Sequence, residues 1–335
     1  MEPAHPRVLV TGGAGFIGSH LVDRIITEGH SVTVLDNFAS GKREHLEPAL
    51  ATGRLKLIEG SILSEFDLST ALDGVEVVFH LAVECVRKSL GDPINNHAIN
   101  ATGTLMTLEA ARRHKVRRFI YCSSSEVYGN CSAGKLIEDV AVCAPTTVYG
   151  AAKLAGELYT LAFWRTYGLP AVVVRPFNAF GPREHDRGML AEVIPRFAIK
   201  VLNGRSPIVF GDGSQGRDFI YVTDTAEGLW RAATCDELIG GTVNLGWGRL
   251  ITIRQVAEEM IRHCRRNDVS VIFAPERPGD IQSLIADTEK ARKILGFQPS
   301  MDFAEGIRRY IKWFKDRHPN PAALLEADEK NWTLP

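Results

Sequence analysis

Short apolar runs alternate with longer amphipathic segments through the first half of the chain. The runs cover residues 8–10, 32–35, 55–58, 75–79, 119–122 and 171–174. Segments such as 17–29 and 100–114 instead carry apolar residues at helical spacing. Strands that lack a polar face and are separated by helices are typical of a parallel sheet covered on both faces. The pattern therefore predicts an α/β fold with a doubly wound parallel sheet.

The pattern changes near residue 180, where glycine and proline become frequent and the strand–helix alternation weakens. The remaining chain is predicted to contain helices over 252–263 and 303–314 and a strand over 269–273. We therefore expect a first domain over residues 1–177 and a smaller α/β lobe over 178–335, with some segments of the lobe returning to the first domain.

Composition narrows the possible partners. The 335 residues carry 39 basic and 40 acidic side chains, a formal net charge of −1, which favours neither nucleic acid nor an anionic membrane. No run of roughly eighteen apolar residues occurs, and the start, MEPAHPRVLV, lacks the pattern of a signal peptide. The six cysteines form neither a CxxC pair nor a zinc-like cluster. We expect reduced thiols, a cytoplasmic location and no bound metal.

A glycine-rich segment, TGGAGFIG at residues 11–18, follows the first predicted strand and opens the first predicted helix. Gly12, Gly15 and Gly18 allow a tight turn and a close approach of the main chain to a pyrophosphate. The free N–H groups at the N-terminus of the helix can then bind that pyrophosphate.

Asp36 ends the second predicted strand, eighteen residues after Gly18. A carboxylate at this position accepts hydrogen bonds from an adenosine ribose and repels a 2′-phosphate, so the segment predicts NAD as the cofactor. Lys42 and Arg43 follow closely and leave NADP open as an alternative.

Tyr149 and Lys153, in YGAAK, share one face of a helix. The Lys153 ammonium, with the charge of a nicotinamide, is expected to lower the phenol pKa by about three units, roughly 4 kcal/mol. Tyr149 would then take a proton from a sugar hydroxyl while hydride passes to NAD. Ser124 follows the fifth strand and is predicted to hydrogen-bond the reacting oxygen, with a turn cap as the alternative.

Together these motifs resemble the extended short-chain dehydrogenase/reductases, in particular the nucleotide-sugar epimerases, dehydratases and decarboxylases. The resemblance runs from residue 7 to about residue 315. It also rests on HLA (80–82), NATGT (100–104), SSSEVYG (123–129), RPFNAFGPR (175–183), GDGSQGRDFIYVTD (211–224), NLGWG (244–248) and RPGD (277–280). It implies an NAD-binding Rossmann domain, a lobe that binds a nucleotide diphosphate sugar, and a 4-keto sugar formed by oxidation at C4.

The resemblance also implies roles for individual residues. The cofactor-binding set is Gly12, Gly15, Phe16, Ile17, Gly18, Asp36, Asn37, Ser61, Ile62, Leu81, Ala82, Val83, Asn100, Tyr149, Lys153 and Pro176. Asn100 should steady the loop beside the cofactor, and Ser61 stands where the family usually has aspartate. The substrate-binding set is Asn178, Arg217 and Arg277 for the diphosphate, Asp280 for the nucleoside ribose, and Arg87 near the sugar or a phosphate.

The second half of the reaction is less clearly indicated. Glu126 resembles a residue of dehydratases and decarboxylases that handles C5 chemistry, yet Ser125 stands where such dehydratases have an acidic residue. The run DIQSLIAD lacks the arginine of decarboxylases, and VRKS (86–89) resembles the 4-epimerases. We therefore favour a 4-epimerase of a UDP-hexose, UDP-N-acetylhexosamine or UDP-uronic acid.

The alternatives are an NDP-sugar 4,6-dehydratase, then a UDP-uronic acid decarboxylase. A non-catalytic NAD-binding sensor or scaffold is the alternative of a different class. Extra apolar residues on the helices near 100–114 and 149–167 also predict a homodimer with a four-helix core.

Overall fold

The computed structural model describes residues 6–131, 134–276 and 282–325. Its strands, in chain order, are β1 (Val8–Thr11), β2 (Val32–Asp36), β3 (Leu55–Glu59), β4 (Val77–His80), β5 (Arg118–Cys122), β6 (Ala171–Pro176), β7 (Asn178–Phe180), β8 (Ile208–Phe210), β9 (Gly216–Arg217), β10 (Phe219–Tyr221), β11 (Thr242–Leu245), β12 (Ile251–Thr252), β13 (Ile272–Ala274) and β14 (Ser283–Leu284).

The α-helices, in chain order, are α1 (Phe16–Thr27), α2 (Glu47–Ala51), α3 (Glu65–Leu72), α4 (Val86–Gly91), α5 (Pro93–His97), α6 (Gly103–Arg113), α7 (Val148–Tyr167), α8 (Val193–Leu202), α9 (Val222–Thr234), α10 (Ile253–Cys264), α11 (Glu289–Leu295) and α12 (Phe303–Arg317). A π-helical turn, Ala98–Thr102, leads into α6.

Seven strands form the central sheet in the order β11-β6-β5-β4-β1-β2-β3, and every neighbouring pair is parallel. Strands β1, β4, β5, β6 and β11 are buried along their whole length. The order runs outward in both directions from β1, so the prediction of a doubly wound α/β sheet is confirmed. A crevice opens at the carboxyl ends of β1 and β4, where the direction of winding reverses.

Helices cover both faces of this sheet. One face carries a core built with α1 and α9, and the other carries a core built with α3, α6 and α7. Strand β11 and helix α9 come from the chain after residue 177, so part of that chain belongs to the layers of the large sheet.

The smaller lobe has its own core. Helices α8, α10 and α12 pack around aromatic residues of β7 and β10, among them Phe180, Phe219 and Tyr221. The predicted strand over 269–273 is the shorter β13, which pairs with β8. Helix α10 starts at a capping box between Thr252 and Gln255, which satisfies N–H groups at its first turn.

The helices α6 and α7 bury part of the surface that the sequence assigned to a dimer. Leu108 and Phe163 belong to the core under the sheet, with exposed fractions of 0% and 8%. Leu105 and Leu158 remain exposed, at 39% and 59%. The apolar face left open is therefore narrower than predicted, because the sheet itself uses one side of each helix.

The six cysteines are free thiols in this structure. Among the described helices, none is long and apolar enough to cross a membrane.

Candidate active site

A cavity of about 1190 Å³ follows the carboxyl edge of the sheet, and residues of both the large domain and the lobe line it. Residues of the glycine-rich segment and Asp36 line it. Tyr149 and Lys153 of α7 also line it, together with residues 122–126 at and just after the end of β5. The predicted catalytic residues Ser124, Ser125 and Glu126 are thus brought into the same cavity as the predicted cofactor residues.

The glycine-rich segment forms a cradle that side chains would fill. Gly12 has a φ of +69°, and a Cβ there would lie 2.7 Å from the main-chain nitrogen of Ala82. A Cβ on Gly18 would lie 2.2 Å from the Gly12 carbonyl oxygen. Gly15 precedes α1 without a side-chain cap, so the first N–H groups of the helix are available to an anion. This geometry fits the pyrophosphate of NAD.

Asp36 lies 7% exposed at the end of β2. Its two carboxylate oxygens accept hydrogen bonds from the main-chain nitrogens of Ala14, at 2.9 Å, and Phe38, at 2.8 Å. Burial raises the pKa of Asp36, and the two N–H groups oppose that rise. The remaining lone pairs on both oxygens suit the hydroxyls of an adenosine ribose.

Lys42 and Arg43, the two cations that left NADP as an alternative cofactor, form ion pairs outside the cavity. Lys42 pairs with Asp186 at 3.6 Å, and Arg43 pairs with Glu59 at 3.4 Å. Neither side chain lines the cavity. Asp36, unlike these two cations, lines the cavity, and its negative charge there favours NAD.

The other predicted cofactor residues line the cavity, with one exception. Lining residues are Phe16, Ile17, Asn37, Ser61, Ile62, Leu81, Ala82, Val83 and Pro176. Asn100 lies behind the wall and holds the loop instead. Its Oδ1 accepts from the Glu84 nitrogen, and its Nδ2 donates to the Glu84 oxygen, both at 2.9 Å.

Ser61 replaces the usual aspartate without supplying a charge. Its main-chain nitrogen donates to Asp67 of α3 at 2.9 Å, and its hydroxyl accepts from the Leu63 nitrogen at 3.1 Å. A carboxylate therefore lies beneath this turn, although it comes from a residue that the sequence motifs did not single out.

Ser124 serves as a turn cap and also contacts the catalytic candidate. Its hydroxyl accepts a hydrogen bond from the Glu126 nitrogen at 3.2 Å, and it faces the phenol of Tyr149, whose pKa it lowers. Tyr149 stands in the first turn of α7, which begins where the Thr147 hydroxyl accepts from the Gly150 nitrogen at 3.0 Å. The cap and the contact with the phenol are thus compatible rather than alternative.

The groups of the protein by themselves do not lower the pKa of Tyr149 as expected; the expectation also included the charge of the nicotinamide. Burial raises the pKa of Tyr149, and the Ser124 hydroxyl is the main opposing group. Lys153 donates to the Cys122 carbonyl at 2.6 Å and stands 4.4 Å from the centre of the Tyr121 ring. Burial lowers its own pKa to about 8. The cost of burying a phenolate here exceeds the gain from a neighbouring ammonium.

Glu126 faces the same part of the cavity. Burial raises the pKa of its carboxyl, Arg217 opposes the rise and Glu192 adds to it. Ser125 beside it is 4% exposed and carries no acidic group.

The predicted substrate residues lie at the lobe side. Asn178 lines the cavity, and its buried Oδ1 has no hydrogen-bond partner among the described residues. Arg87 spans from α4 to the lobe, donating to the Ala191 carbonyl at 2.7 Å and to Glu192 at 2.6 Å. Arg217 also lines the cavity. Arg277 and Asp280 lie outside the described residues.

Three charged or polar residues of this wall were not predicted from the sequence. Glu184, His185 and Glu192 line the cavity, and burial raises the pKa of Glu184 well above its ordinary value. Glu184 and His185 directly follow GPR, so extending that motif by two residues would have included them. Glu192 precedes α8 and carries no local signal.

The fold and the site together define a dinucleotide-binding enzyme of the α/β class, with a tyrosine–lysine pair at the carboxyl edge of its sheet. Residues 8–246 match the model of the NAD-dependent epimerase/dehydratase family. The chain belongs to this family, and it is an NAD-dependent enzyme.

Relatives with different reactions are about equally similar. A UDP-glucose 4-epimerase from Mycolicibacterium smegmatis is 35% identical over 322 residues, covering 93% of this chain and 99% of the relative. A dTDP-glucose 4,6-dehydratase from Streptomyces niveus is 34% identical over 331 residues, covering 96% and 97%. The structure of a UDP-glucose 4-epimerase from Thermotoga maritima with UDP-glucose superposes with a TM-score of 0.87 at 33% identity, covering 93% and 99%.

Proposed function

We propose that the protein is a 4-epimerase of a UDP-linked sugar that works through a transient 4-keto intermediate. The observation that carries this proposal is the placement of Tyr149 and Ser124 in one cavity with both the NAD cradle and the lobe residues Asn178 and Arg217. Relatives that act on UDP-sugars support the substrate class.

The residues divide the work as follows. Bound NAD would supply the hydride acceptor and donor, and its nicotinamide charge, together with the Lys153 ammonium, would favour the phenolate form of Tyr149 that accepts a proton. Tyr149 takes the proton of the sugar 4-hydroxyl, and Ser124 donates a hydrogen bond to the same oxygen as charge develops. Lys153 holds its ammonium beside the site from the next turn of α7. Asn178 and Arg217, with Arg277 and Asp280, bind the nucleotide end. The keto sugar meanwhile rotates and presents its other face to the cofactor.

Ser125 favours epimerisation over dehydration. Loss of the C6 hydroxyl needs a general acid, and the residue next to Glu126 is a serine. The 4,6-dehydratase remains the second candidate because the buried Glu126 carboxyl lines the cavity and interacts electrostatically with Tyr149. A carboxylate there can remove the C5 proton.

Incubation with UDP-glucose, UDP-N-acetylglucosamine and UDP-glucuronic acid in deuterated water, read by NMR, tests the proposal. Epimerisation at C4 gives the galacto product with no ring deuterium. Dehydration and decarboxylation both place solvent hydrogen at C5, and only decarboxylation releases carbon dioxide. Deuterium at C5 would reject the 4-epimerase.

The Tyr149→Phe variant separates an enzyme from a sensor. We expect a loss of turnover of about 10²- to 10⁴-fold with the fold and bound NAD retained, because the phenol is the proton acceptor. If Tyr149→Phe changes no activity of the protein, a non-catalytic NAD-binding role is supported instead.

We also propose that two copies pair through α6 and α7. The support is the exposure of Leu105 on α6 and Leu158 on α7, two helices that pack against each other.

A further inference from the structure

The last residue of β5 and the two residues after it, Cys122, Ser123 and Ser124, each interact with α7, and their partners on α7 are spaced four residues apart. The Cys122 carbonyl accepts a hydrogen bond from Lys153 Nζ at 2.6 Å, and the Ser123 hydroxyl donates one to Glu157 Oε1 at 2.5 Å. The Ser124 hydroxyl faces the Tyr149 phenol and lowers its pKa. Residues four apart share one helix face. The first and third pairs involve the proposed catalytic groups, whereas the middle pair has no role in the mechanism above.

The partner of Ser123 is itself held rigidly. Arg175 of β6 donates to both carboxylate oxygens of Glu157, from Nε at 2.8 Å and from Nη2 at 2.6 Å. Glu157 and Arg175 are 2% and 5% exposed. The third nitrogen of the guanidinium, Nη1, donates to the Tyr128 hydroxyl at 2.8 Å, which in turn donates to Asn244 of β11 at 2.9 Å.

We propose that Glu157, locked by Arg175, is a positioning residue that fixes the main chain of residues 122–124 and thereby aims Ser124 and Lys153 at the reacting sugar. The inference rests on the proposed function for its link to turnover.

Close packing of α7 on β5 makes the contacts of Glu157 with Ser123 and Arg175 effective in fixing the main chain. Helix α7 approaches β5 so closely that a Cβ on Gly156 would lie 2.2 Å from the Tyr121 hydroxyl oxygen. With the Ser123 hydroxyl bound to Glu157, the main chain that carries Ser124 is held against α7, the helix that also carries Tyr149.

Holding a strand against a helix with a buried ion pair carries a large desolvation free energy. Removing two charges from water costs several kcal/mol per ion, and apolar residues of similar volume often stabilise as well or better. The pair between Glu157 and Arg175 supplies what apolar packing does not, which is a fixed acceptor for one hydroxyl and a negative charge one helical turn from Lys153.

That charge favours the ammonium form of Lys153. The titratable and charged groups facing Lys153 come from three elements: His80 of β4, Tyr121 and Cys122 of β5, and Tyr149 and Glu157 of α7. Glu157 is the carboxylate among them. Neutralising it leaves Arg175 as an unbalanced cation nearby, so both changes disfavour the ammonium.

The first variant is Ser123→Ala, which removes the hydroxyl and leaves the ion pair intact. We expect kcat to fall about tenfold with KM and bound NAD unchanged, because one charge-assisted hydrogen bond no longer orients Ser124. The matched control is Thr160→Val, one turn further along α7, which also loses one buried hydroxyl bond, to the Gly156 carbonyl at 2.7 Å. The control should keep its kcat.

The second variant is Glu157→Gln. In this variant, the fall of kcat on the alkaline side should occur at lower pH than in the wild type, because Lys153 then loses its proton more readily. Ser123→Ala should leave the pH of that fall unchanged. A kcat and pH profile equal to the wild type in both variants would overturn the proposal, even if their melting temperatures fall. If Glu157→Gln does not fold, Ser123→Ala alone decides.

The structure of the Ser123→Ala variant keeps this inference separate from the proposed function. If the wild type converts no nucleotide-sugar, the proposed function fails, yet the variant still tests the positioning. We expect its Ser124 hydroxyl to leave the Tyr149 phenol, and an unchanged contact would overturn the role of Glu157.

Discussion

Asp36 illustrates how one side chain both shapes the site and selects the cofactor. Its carboxylate binds two main-chain N–H groups and so fixes the turn from Ala14 and the segment after β2. The same negative charge repels a 2′-phosphate, and the nearby cations Lys42 and Arg43 are engaged by Asp186 and Glu59. The charge of Asp36 thus favours NAD over NADP, and the ion pairs of Lys42 and Arg43 reduce what these cations could contribute to binding a 2′-phosphate.

The Asp36→Asn variant should bind NAD with a smaller preference over NADP than the wild type does. We expect the ratio of the NADP and NAD dissociation constants to fall about tenfold, roughly 1.4 kcal/mol, because a unit charge is lost near the 2′ position. Calorimetric titration of the nucleotide-free protein measures both constants. Glu47→Gln is the control, because it also removes one negative charge, at the start of α2, and Glu47 does not line the cavity. An unchanged ratio in Asp36→Asn would contradict this role.

At the scale of elements, β1, the glycine turn and α1 act as one unit. The turn brings the helix so close to the strand end that Gly18 has no room for a side chain beside the Gly12 carbonyl. The helix N-terminus is therefore directed into the cavity without a capping side chain. The pyrophosphate can bind there only because that approach is preserved.

Gly18→Ala should separate α1 from the turn. We expect a destabilisation of about 1–3 kcal/mol from overpacking and a loss of NAD affinity of at least about tenfold. Denaturant unfolding and NAD titration measure the two effects. Gly91→Ala is the control, because a Cβ at the end of α4 meets nothing within 4 Å. Equal NAD affinity in Gly18→Ala and the wild type would refute the argument.

At the scale of the whole molecule, buried histidines connect stability to pH. Burial lowers the pKa of His20 and of His45 to about 4 and that of His80 to about 3. His80 is held between the hydroxyls of Thr11 and Thr104, at 2.7 and 3.0 Å. These imidazoles stay neutral in the folded chain at a pH where the unfolded chain binds protons.

We therefore expect stability to fall as the pH drops from about 6.5 to about 4, by roughly 1 kcal/mol per histidine per pH unit within that window. The sign follows because these three imidazoles take up protons on unfolding there, whereas the carboxyls of Asp218 and Glu184, whose pKa burial raises, release protons and offset part of the trend. Calorimetric unfolding at pH 7.5, 6.5 and 5.5 in buffers of different ionisation enthalpy measures the melting temperature and the proton uptake. Unfolding without proton uptake at pH 5.5 would contradict the expectation.

Association is the second property of the whole molecule. Leu105 and Leu158 are exposed on α6 and α7, and the opposite sides of these two helices pack on the sheet. We expect a dimer in sedimentation at micromolar concentration and a monomer for Leu158→Arg, since a buried charge at an apolar contact is costly. Phe66→Arg is the control, because Phe66 on α3 is 79% exposed. A monomeric wild type would rule the pairing out.

Local patterns in the sequence determined much of this protein. Apolar runs predicted the strands of the large sheet up to β6, since a strand buried on both faces must be apolar throughout. The glycine segment, Asp36 and the spacing of Tyr149 and Lys153 predicted where a cofactor and a proton-transfer group would lie. Each of these signals sits within a few residues along the chain, so no knowledge of the folded structure was needed.

Tertiary structure decided what depends on distant residues. It placed β11 in the large sheet, brought Glu184 and Glu192 to the cavity wall and engaged Lys42 and Arg43 elsewhere. It also set the burial that raises the Tyr149 pKa when the protein groups act alone, because burial depends on all the surrounding elements. The lock between Ser123, Glu157 and Arg175 joins β5, α7 and β6, and sequence spacing alone carries no sign of a contact made across three elements.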